Sequence, residues 1–164
     1  VDDPMDMKTY VWPLVNKEGL MQIEAQVADS VSKGANVMTG AERLKRKGYF
    51  YRPTVLINVK SNMKVVTEEV FGPVAPVIVV SDEEEALNVA NNSEFGLGAS
   101  IWTKDTENGL KIAKRIEAGD VFINSIVKSD PRMPFGGVKK SGIGRELSKY
   151  GVKEFVNVKG INGY

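Results

Sequence analysis

The sequence contains no cysteine and no histidine. The first absence excludes a disulfide framework and a thiolate nucleophile within the chain, and the second excludes a histidine general base. Together they exclude a zinc ion held by Cys or His side chains, and we predict no metal site. Any chemistry here depends on carboxylates, hydroxyls, amines and the backbone, or on groups supplied from outside the chain.

Long apolar runs are also missing. The longest, from Val74 to Val80, has the length of a strand, whereas a membrane-spanning helix requires ~20 residues. The first residues show no basic-then-apolar leader pattern. We therefore expect no membrane partner and a cytoplasmic location.

Neither sign of charge is in excess, because 22 Lys and Arg oppose 21 Asp and Glu. With 42% hydrophobic and 26% charged residues in 164, the composition is that of one folded domain. Basic and aromatic residues interleave between Arg43 and Arg52, a pattern that can bind a nucleic-acid backbone and stack on bases. The balanced charge favours the alternative, a connector whose aromatic residues anchor the next strand, so we predict no nucleic-acid partner.

Strand and helix patterns alternate through the middle of the chain, which predicts an α/β fold with parallel crossover units. Leu20, Ile23, Val27 and Val31 are expected on the buried face of the first helix. Helices are predicted at 17–33, 82–92, 105–117 and 145–150, strands at 36–39, 54–59, 76–80, 98–103 and 121–124, and a loop at 125–144. The strand at 76–80 is expected to be buried on both faces. A last strand at 152–158 stands apart and can pair with another chain.

The glycines of residues 136–144 invite comparison with phosphate-binding loops. The sequence does not match either motif of this kind. Leu147 stands where the dinucleotide-binding motif has its third glycine. Ile143 and Gly144 stand where a Walker loop has Lys and Ser or Thr. A structural loop with positive φ is the favoured interpretation. The segment Ser81-Asp82-Glu83-Glu84 is predicted to begin a helix as a capping box, with its acids near the positive end of the helix dipole. Consecutive acids at a helix start do not converge on a cation, so no metal site is predicted at 82–85.

Three longer motifs carry a more specific signal. They are EEVFGPV at residues 68–74, GLGAS at 96–100 and PFGGVKKSGIGRE at 134–146. In this order and spacing they resemble the C-terminal part of the aldehyde dehydrogenase superfamily, over residues 1 to about 159. The resemblance implies a three-layer α/β segment with a mostly parallel sheet. It divides the chain into part of a catalytic domain, residues 1–150, and an oligomerisation strand with its tail, residues 151–164.

In that family a cysteine thiolate attacks an aldehyde, hydride passes to a nicotinamide cofactor, and a glutamate activates the water that releases the acid. These groups and the dinucleotide-binding domain lie upstream of the matched segment. The resemblance therefore implies an NAD- or NADP-dependent dehydrogenase completed by an upstream half. This chain is expected to hold no catalytic residue and to be inactive alone. The alternative is a non-catalytic, truncated self-association module.

Four residues match functional positions of the family. Glu69 matches the glutamate that accepts hydrogen bonds from the nicotinamide ribose, and Phe71 matches the aromatic residue beside the nicotinamide. Phe135 matches an aromatic wall of the aldehyde pocket. The 125–133 loop resembles the succinate-semialdehyde branch, where a serine at the place of Ser129 holds the substrate's distal carboxylate. The plainer alternatives are a solvated acid, two packed aromatic residues and a turn residue before Asp-Pro.

Overall fold

The computed structural model describes residues 1–163, which divide into one compact unit at Val1–Ser81 and a second that begins at Asp82. Both units combine helices with strands, so the predicted α/β class is confirmed. Parallel and antiparallel pairs both occur, in three small sheets.

The first unit contains a three-stranded sheet and two helices. Its helices are α1 (Lys17–Ser32) and α2 (Lys64–Thr67), and its strands are β1 (Asn36–Thr39), β2 (Thr54–Ile57) and β3 (Val74–Pro76). Strand β2 is central, antiparallel to β1 and parallel to β3, and α2 lies in the crossover between the parallel strands. Helix α1 begins where the Asn16 side chain accepts the Gly19 N–H at 2.8 Å.

The core of this unit joins α1, β2 and α2. Leu56 of β2 is 0% exposed and packs in one cluster with Ile23 of α1 and Val65 of α2. The buried face of α1 is confirmed at Leu20, Ile23 and Val27. Val31 is 41% exposed, so its predicted burial is wrong, and Gln26 and Ser30 are buried instead.

The apolar run at 74–80 differs from the prediction. Strand β3 ends at Pro76, and Val77 and Val79 are 43% and 88% exposed. The expected strand at 76–80, buried on both faces, is therefore wrong. Strand β3 lies at the edge of its sheet, with no strand from the described residues beyond it, so alternate side chains face solvent.

The second unit is built around a parallel crossover. Its elements are α3 (Glu83–Asn91), β4 (Phe95–Gly96), β5 (Gly98–Ile101), α4 (Thr106–Ala113), β6 (Asp120–Ile123), β7 (Val138–Lys139) and α5 (Ser148–Lys153). Strands β5 and β6 are parallel and joined through α4, as predicted, while β4 and β7 are antiparallel. The first turn of α3 is acidic, as predicted, but its N-cap is Asp82 and not Ser81: the side chain of Asp82 accepts the Glu85 N–H at 2.8 Å.

The end of the described chain corrects the prediction for 152–158. Val152 and Lys153 belong to α5, and the N–H groups of Phe155 and Val156 donate to the carbonyls of these two residues at 3.2 and 3.4 Å. A strand requires a hydrogen-bonded neighbour, and none of the described strands pairs with this segment. Local turns bond the N–H groups of residues 154–156 instead. The predicted helix at 145–150 lies at Ser148–Lys153, and the predicted loop at 125–144 contains β7.

Candidate functional site

Glu69 and Phe71 lie on the segment between α2 and β3 in the first unit. The carboxylate of Glu69 is exposed and, among residues 1–163, accepts no hydrogen bond and joins no ion pair. Phe71 is 78% exposed, so it does not pack in the core. Both side chains are therefore available to contact a ligand.

A cavity of about 440 Å³ lies beside Phe71. Its other walls come from residues 13–16 and from the first turns of α1. This volume falls within the ~300–1,000 Å³ of small-ligand pockets. Phe71 thus provides one aromatic wall of a cavity large enough for part of a small molecule.

The buried amide of Gln26 supports the same segment. Its Nε2 donates to Oε2 of Glu68 at 3.1 Å and to the carbonyl of Glu69 at 3.0 Å. Its Oε1 is buried with no partner among the described residues. The sequence interpretation missed Gln26, although it stands three residues after Ile23, on the helix face that is buried.

Phe135, in the second unit, lies on a fixed turn. Its N–H and carbonyl both pair with the backbone of Glu146, at 2.9 and 2.8 Å, and the N–H of Gly136 donates to Oδ2 of Asp120 at 3.2 Å. The half-buried ring lines a cavity of about 420 Å³ together with the glycines of 136–144 and Phe155. Phe135 is therefore a cavity wall, and its role in an aldehyde pocket stays a prediction.

The glycine-rich loop around this cavity is structural. Gly136, Gly142 and Gly144 have φ values of 157°, 151° and 72°, where glycine is strongly favoured. The guanidinium of Arg145 donates to the carbonyls of Gly137 and Gly144, at 3.0 and 2.6 Å. The positive-φ interpretation is confirmed, and the arginine is engaged by backbone oxygens.

Ser129 is exposed on the loop that links β6 to Phe135. The loop starts at Asn124, whose side chain accepts the Thr103 N–H and donates to the Thr103 carbonyl, both at 2.8 Å. Arg132 forms a two-point pair with the Asp130 carboxylate, at 2.9 and 2.6 Å, which holds the pKa of Asp130 well below its usual range. Within this loop, Ser129 thus offers an exposed hydroxyl, while the guanidinium of Arg132 is paired with Asp130.

The basic and aromatic residues of 43–52 form a connector. Arg43 pairs with Glu24 at 2.6 Å, which lowers the pKa of that carboxyl, and Arg46 lies over the ring of Phe50. Phe50 and Tyr51 are only 6% and 2% exposed, so they cannot stack on bases. The connector interpretation is confirmed.

The four predicted residues fall in two pairs, Glu69 with Phe71 in the first unit and Ser129 with Phe135 in the second. In the described part of the chain, no three Asp or Glu side chains come together as a metal site. No helix within residues 1–163 is long and apolar enough to cross a bilayer.

A sequence profile of the aldehyde dehydrogenase family matches residues 1–161. The chain belongs to the aldehyde dehydrogenase family. The resemblance given by the three motifs is therefore confirmed over nearly the whole chain.

Curated relatives point to one branch of this aldehyde dehydrogenase family. A succinate-semialdehyde dehydrogenase [NADP(+)] 1 of Mycobacterium tuberculosis is 45% identical over 98% of this chain and 35% of its own length. A probable succinate-semialdehyde dehydrogenase [NADP(+)] of Synechocystis is 47% identical over 98% of this chain and 36% of its own. The chain thus spans about a third of the length of the curated relatives it matches.

Solved structures confirm the aldehyde dehydrogenase fold. An NAD-dependent aldehyde dehydrogenase from Sinorhizobium meliloti superposes with a TM-score of 0.94 at 37% identity, over 98% of this chain and 32% of that one. A betaine aldehyde dehydrogenase from Staphylococcus aureus in complex with NAD+ gives 0.86 at 36% identity, over 92% and 31%.

Proposed function

We propose that this chain is the C-terminal third of an NAD- or NADP-dependent aldehyde dehydrogenase that oxidises an aldehyde to a carboxylic acid, with succinate semialdehyde as the candidate substrate. The observation that carries the proposal is that one segment exposes both the Glu69 carboxylate, unpaired among the described residues, and the ring of Phe71. The names of the relatives support the cofactor and the substrate class.

The residues present fit a nicotinamide nucleotide. A free carboxylate can accept hydrogen bonds from both hydroxyls of a ribose, and Glu69 has no competing partner among the described residues. The face of Phe71 can limit the motion of a flat ring such as nicotinamide. The cavity beside Phe71 is large enough to admit such a ring. When bound, the cofactor supplies the hydride acceptor. Glu69 would orient the ribose, and Phe71 would contact the nicotinamide.

The nucleophile is proposed to come from an upstream half of the enzyme, because this chain has no cysteine. Two observations support an upstream half. The chain covers about a third of its relatives, and the apolar edge at Val77 and Val79 is exposed. Alone, the chain is proposed to be inactive.

Replacing Glu69 tests the cofactor part of this proposal. In the full-length enzyme, Glu69→Gln removes the charge but keeps the length. Hydrogen bonds to charged groups contribute ~1.5–3 kcal/mol, so we expect KM for the cofactor to rise about tenfold or more. Steady-state kinetics with varied NAD and NADP measure this. Glu107→Gln removes an exposed carboxylate of α4 and serves as the control. Unchanged kinetics in Glu69→Gln would remove the proposed role.

Replacing Ser129 tests the substrate part. Ser129→Ala removes a hydroxyl that can donate one hydrogen bond to a distal carboxylate. We expect KM for succinate semialdehyde to rise about tenfold, with no change in KM for an uncharged aldehyde of the same length. Ser125→Ala, on the same loop, is the matched control, because that hydroxyl donates to the adjacent carbonyl of Ile126. An equal change with both aldehydes contradicts the assignment.

A second proposed function is self-association through the C-terminal segment, with a homo-oligomer as the product. Phe155, Val158 and Ile161 are 90%, 87% and 90% exposed, which favours burial against another copy. Light scattering of the purified chain distinguishes this proposal, since a strict monomer would count against it. The division at residue 150 and the cytoplasmic location stay predictions.

A further inference from the structure

We propose that Gln26 is a positioning residue for cofactor binding: its buried amide holds the backbone at Glu68 and Glu69, so that the Glu69 carboxylate is presented to the ribose. The inference rests on the proposed function of Glu69. It assigns a task to a residue of α1 that does not itself touch the cofactor.

The first support is the hydrogen bonding of the segment. The N–H of Glu68 donates to the Lys64 carbonyl at 2.9 Å, and the chain is next tied down where the Gly72 carbonyl accepts the Val74 N–H at 2.8 Å. Between these points, the bond from Gln26 to the carbonyl of Glu69 is the one hydrogen bond made by the backbone of residues 69–71 among the described residues. The backbone position from which the Glu69 side chain extends is therefore held by Gln26.

The second support is the rigidity of the donor. Gln26 is 1% exposed, and its neighbours on the buried face, Ile23 and Val27, belong to the core cluster. Both amide hydrogens are used, one on Glu68 and one on Glu69. Because both hydrogen bonds of the Gln26 amide are made and α1 is packed in the core, Gln26 holds its two acceptors in one geometry.

The third support is the unpaired Oε1 of Gln26. A buried acceptor without a partner is unfavourable, so stability alone favours an apolar side chain of similar length here. The neutral amide of Gln26 can donate to a carboxylate and to a carbonyl at the same time. A glutamate at this position would instead place a second negative charge against Glu68. Gln26 thus donates to both Glu68 and Glu69, while its own Oε1 has no partner among the described residues.

The first experiment uses Gln26→Met, which keeps the length and removes both donors. Val27→Ala, the adjacent buried position, is the matched control, because it lowers stability without removing a hydrogen bond. In the chain alone, ¹⁵N relaxation should show order parameters at residues 69–71 falling from about 0.85 to below about 0.6 in Gln26→Met only. In the full-length enzyme, KM for the cofactor should rise about tenfold while KM for the aldehyde stays unchanged.

The second experiment uses pH. In Gln26→Glu the new carboxyl is buried and faces the carbonyl of Glu69 and the carboxylate of Glu68, which also pairs with Lys64 at 3.5 Å. Burial and the like charge of Glu68 raise the pKa of the new carboxyl, and Lys64 opposes this shift from the far side of Glu68. The new carboxyl donates one hydrogen bond only when protonated. The cofactor KM of this variant should therefore fall as the pH falls from 8 to 5, relative to that of the wild type. A merely structural change would move KM equally at all pH values.

The outcomes separate this inference from the function on which it rests. Order parameters or a cofactor KM that respond equally in Gln26→Met and Val27→Ala overturn the positioning role. A raised KM in Glu69→Gln with a normal KM in Gln26→Met also overturns it. If Glu69→Gln itself leaves KM unchanged, the proposed function of Glu69 fails, and its positioning by Gln26 fails with it.

Discussion

Replacing Gly119 with alanine is expected to destabilise the second unit more than any other substitution considered. A Cβ at this position would overlap the carbonyl oxygen of Gly136 and lie 2.8 Å from its carbon. Neither backbone can move freely, because the N–H of Gly119 donates to the Gly96 carbonyl at 3.0 Å and the N–H of Gly136 donates to Asp120. We expect the free energy of unfolding to fall by about 4 kcal/mol or more.

Chemical denaturation followed by circular dichroism measures this loss. Gly160→Ala is the matched control, because an added Cβ there meets nothing within 4 Å. It should change the unfolding free energy by less than about 0.5 kcal/mol. Gly119→Ala protein as stable as Gly160→Ala would show that β6 and the 135–137 turn do not approach as described.

Replacing Leu56 with alanine is expected to have the second largest effect. Leu56 is 0% exposed at the centre of the first unit, between α1 and the neighbouring strands. Loss of three side-chain carbons and the cavity left behind should lower the unfolding free energy by ~2–5 kcal/mol. The measurement is the denaturant midpoint at constant slope.

The control for Leu56 is another leucine in a different environment. Leu110 of α4 is 57% exposed, so Leu110→Ala removes the same atoms mostly from solvent and should have a much smaller effect. Equal losses from Leu56→Ala and Leu110→Ala would contradict the assignment of Leu56 to the core.

Structural features that depend on residues close together in the sequence were predicted well. The cap at Asn16 depends on a side chain and an N–H three residues away, so this helix start follows from local chemistry. The acidic first turn of α3 was also predicted, although its cap is Asp82, one residue after the predicted Ser81. The β5–α4–β6 crossover follows from alternating patterns of ordinary length. The motifs around Glu69 and Phe135 identified the family and two candidate sites without any knowledge of packing.

Features that depend on distant partners were not predicted. The burial of Gln26 depends on acceptors 42 and 43 residues away, which no helical pattern reveals. Strand β7 exists because β4 pairs with it. At 152–158 the sequence has the apolar residues of a strand, but strand structure requires a partner. Among the described residues, 152–153 end α5 and 154–156 form local turns. Val79 was predicted to be buried and faces solvent, because burial also requires a neighbouring element to pack against it.

The loop from Asn124 to Phe135 has a practical consequence for engineering. Both of its ends are fixed, one by the two bonds between Asn124 and Thr103 and the other by the backbone pairing of Phe135 with Glu146. Lengthening a loop between fixed ends costs little free energy, about 0.6 kcal/mol per doubling. The Pro131 carbonyl also accepts the Ser148 N–H at 3.1 Å, so the freely variable part of the loop is residues 125–130. The length and composition of this part can be varied while the surrounding structure is kept constant.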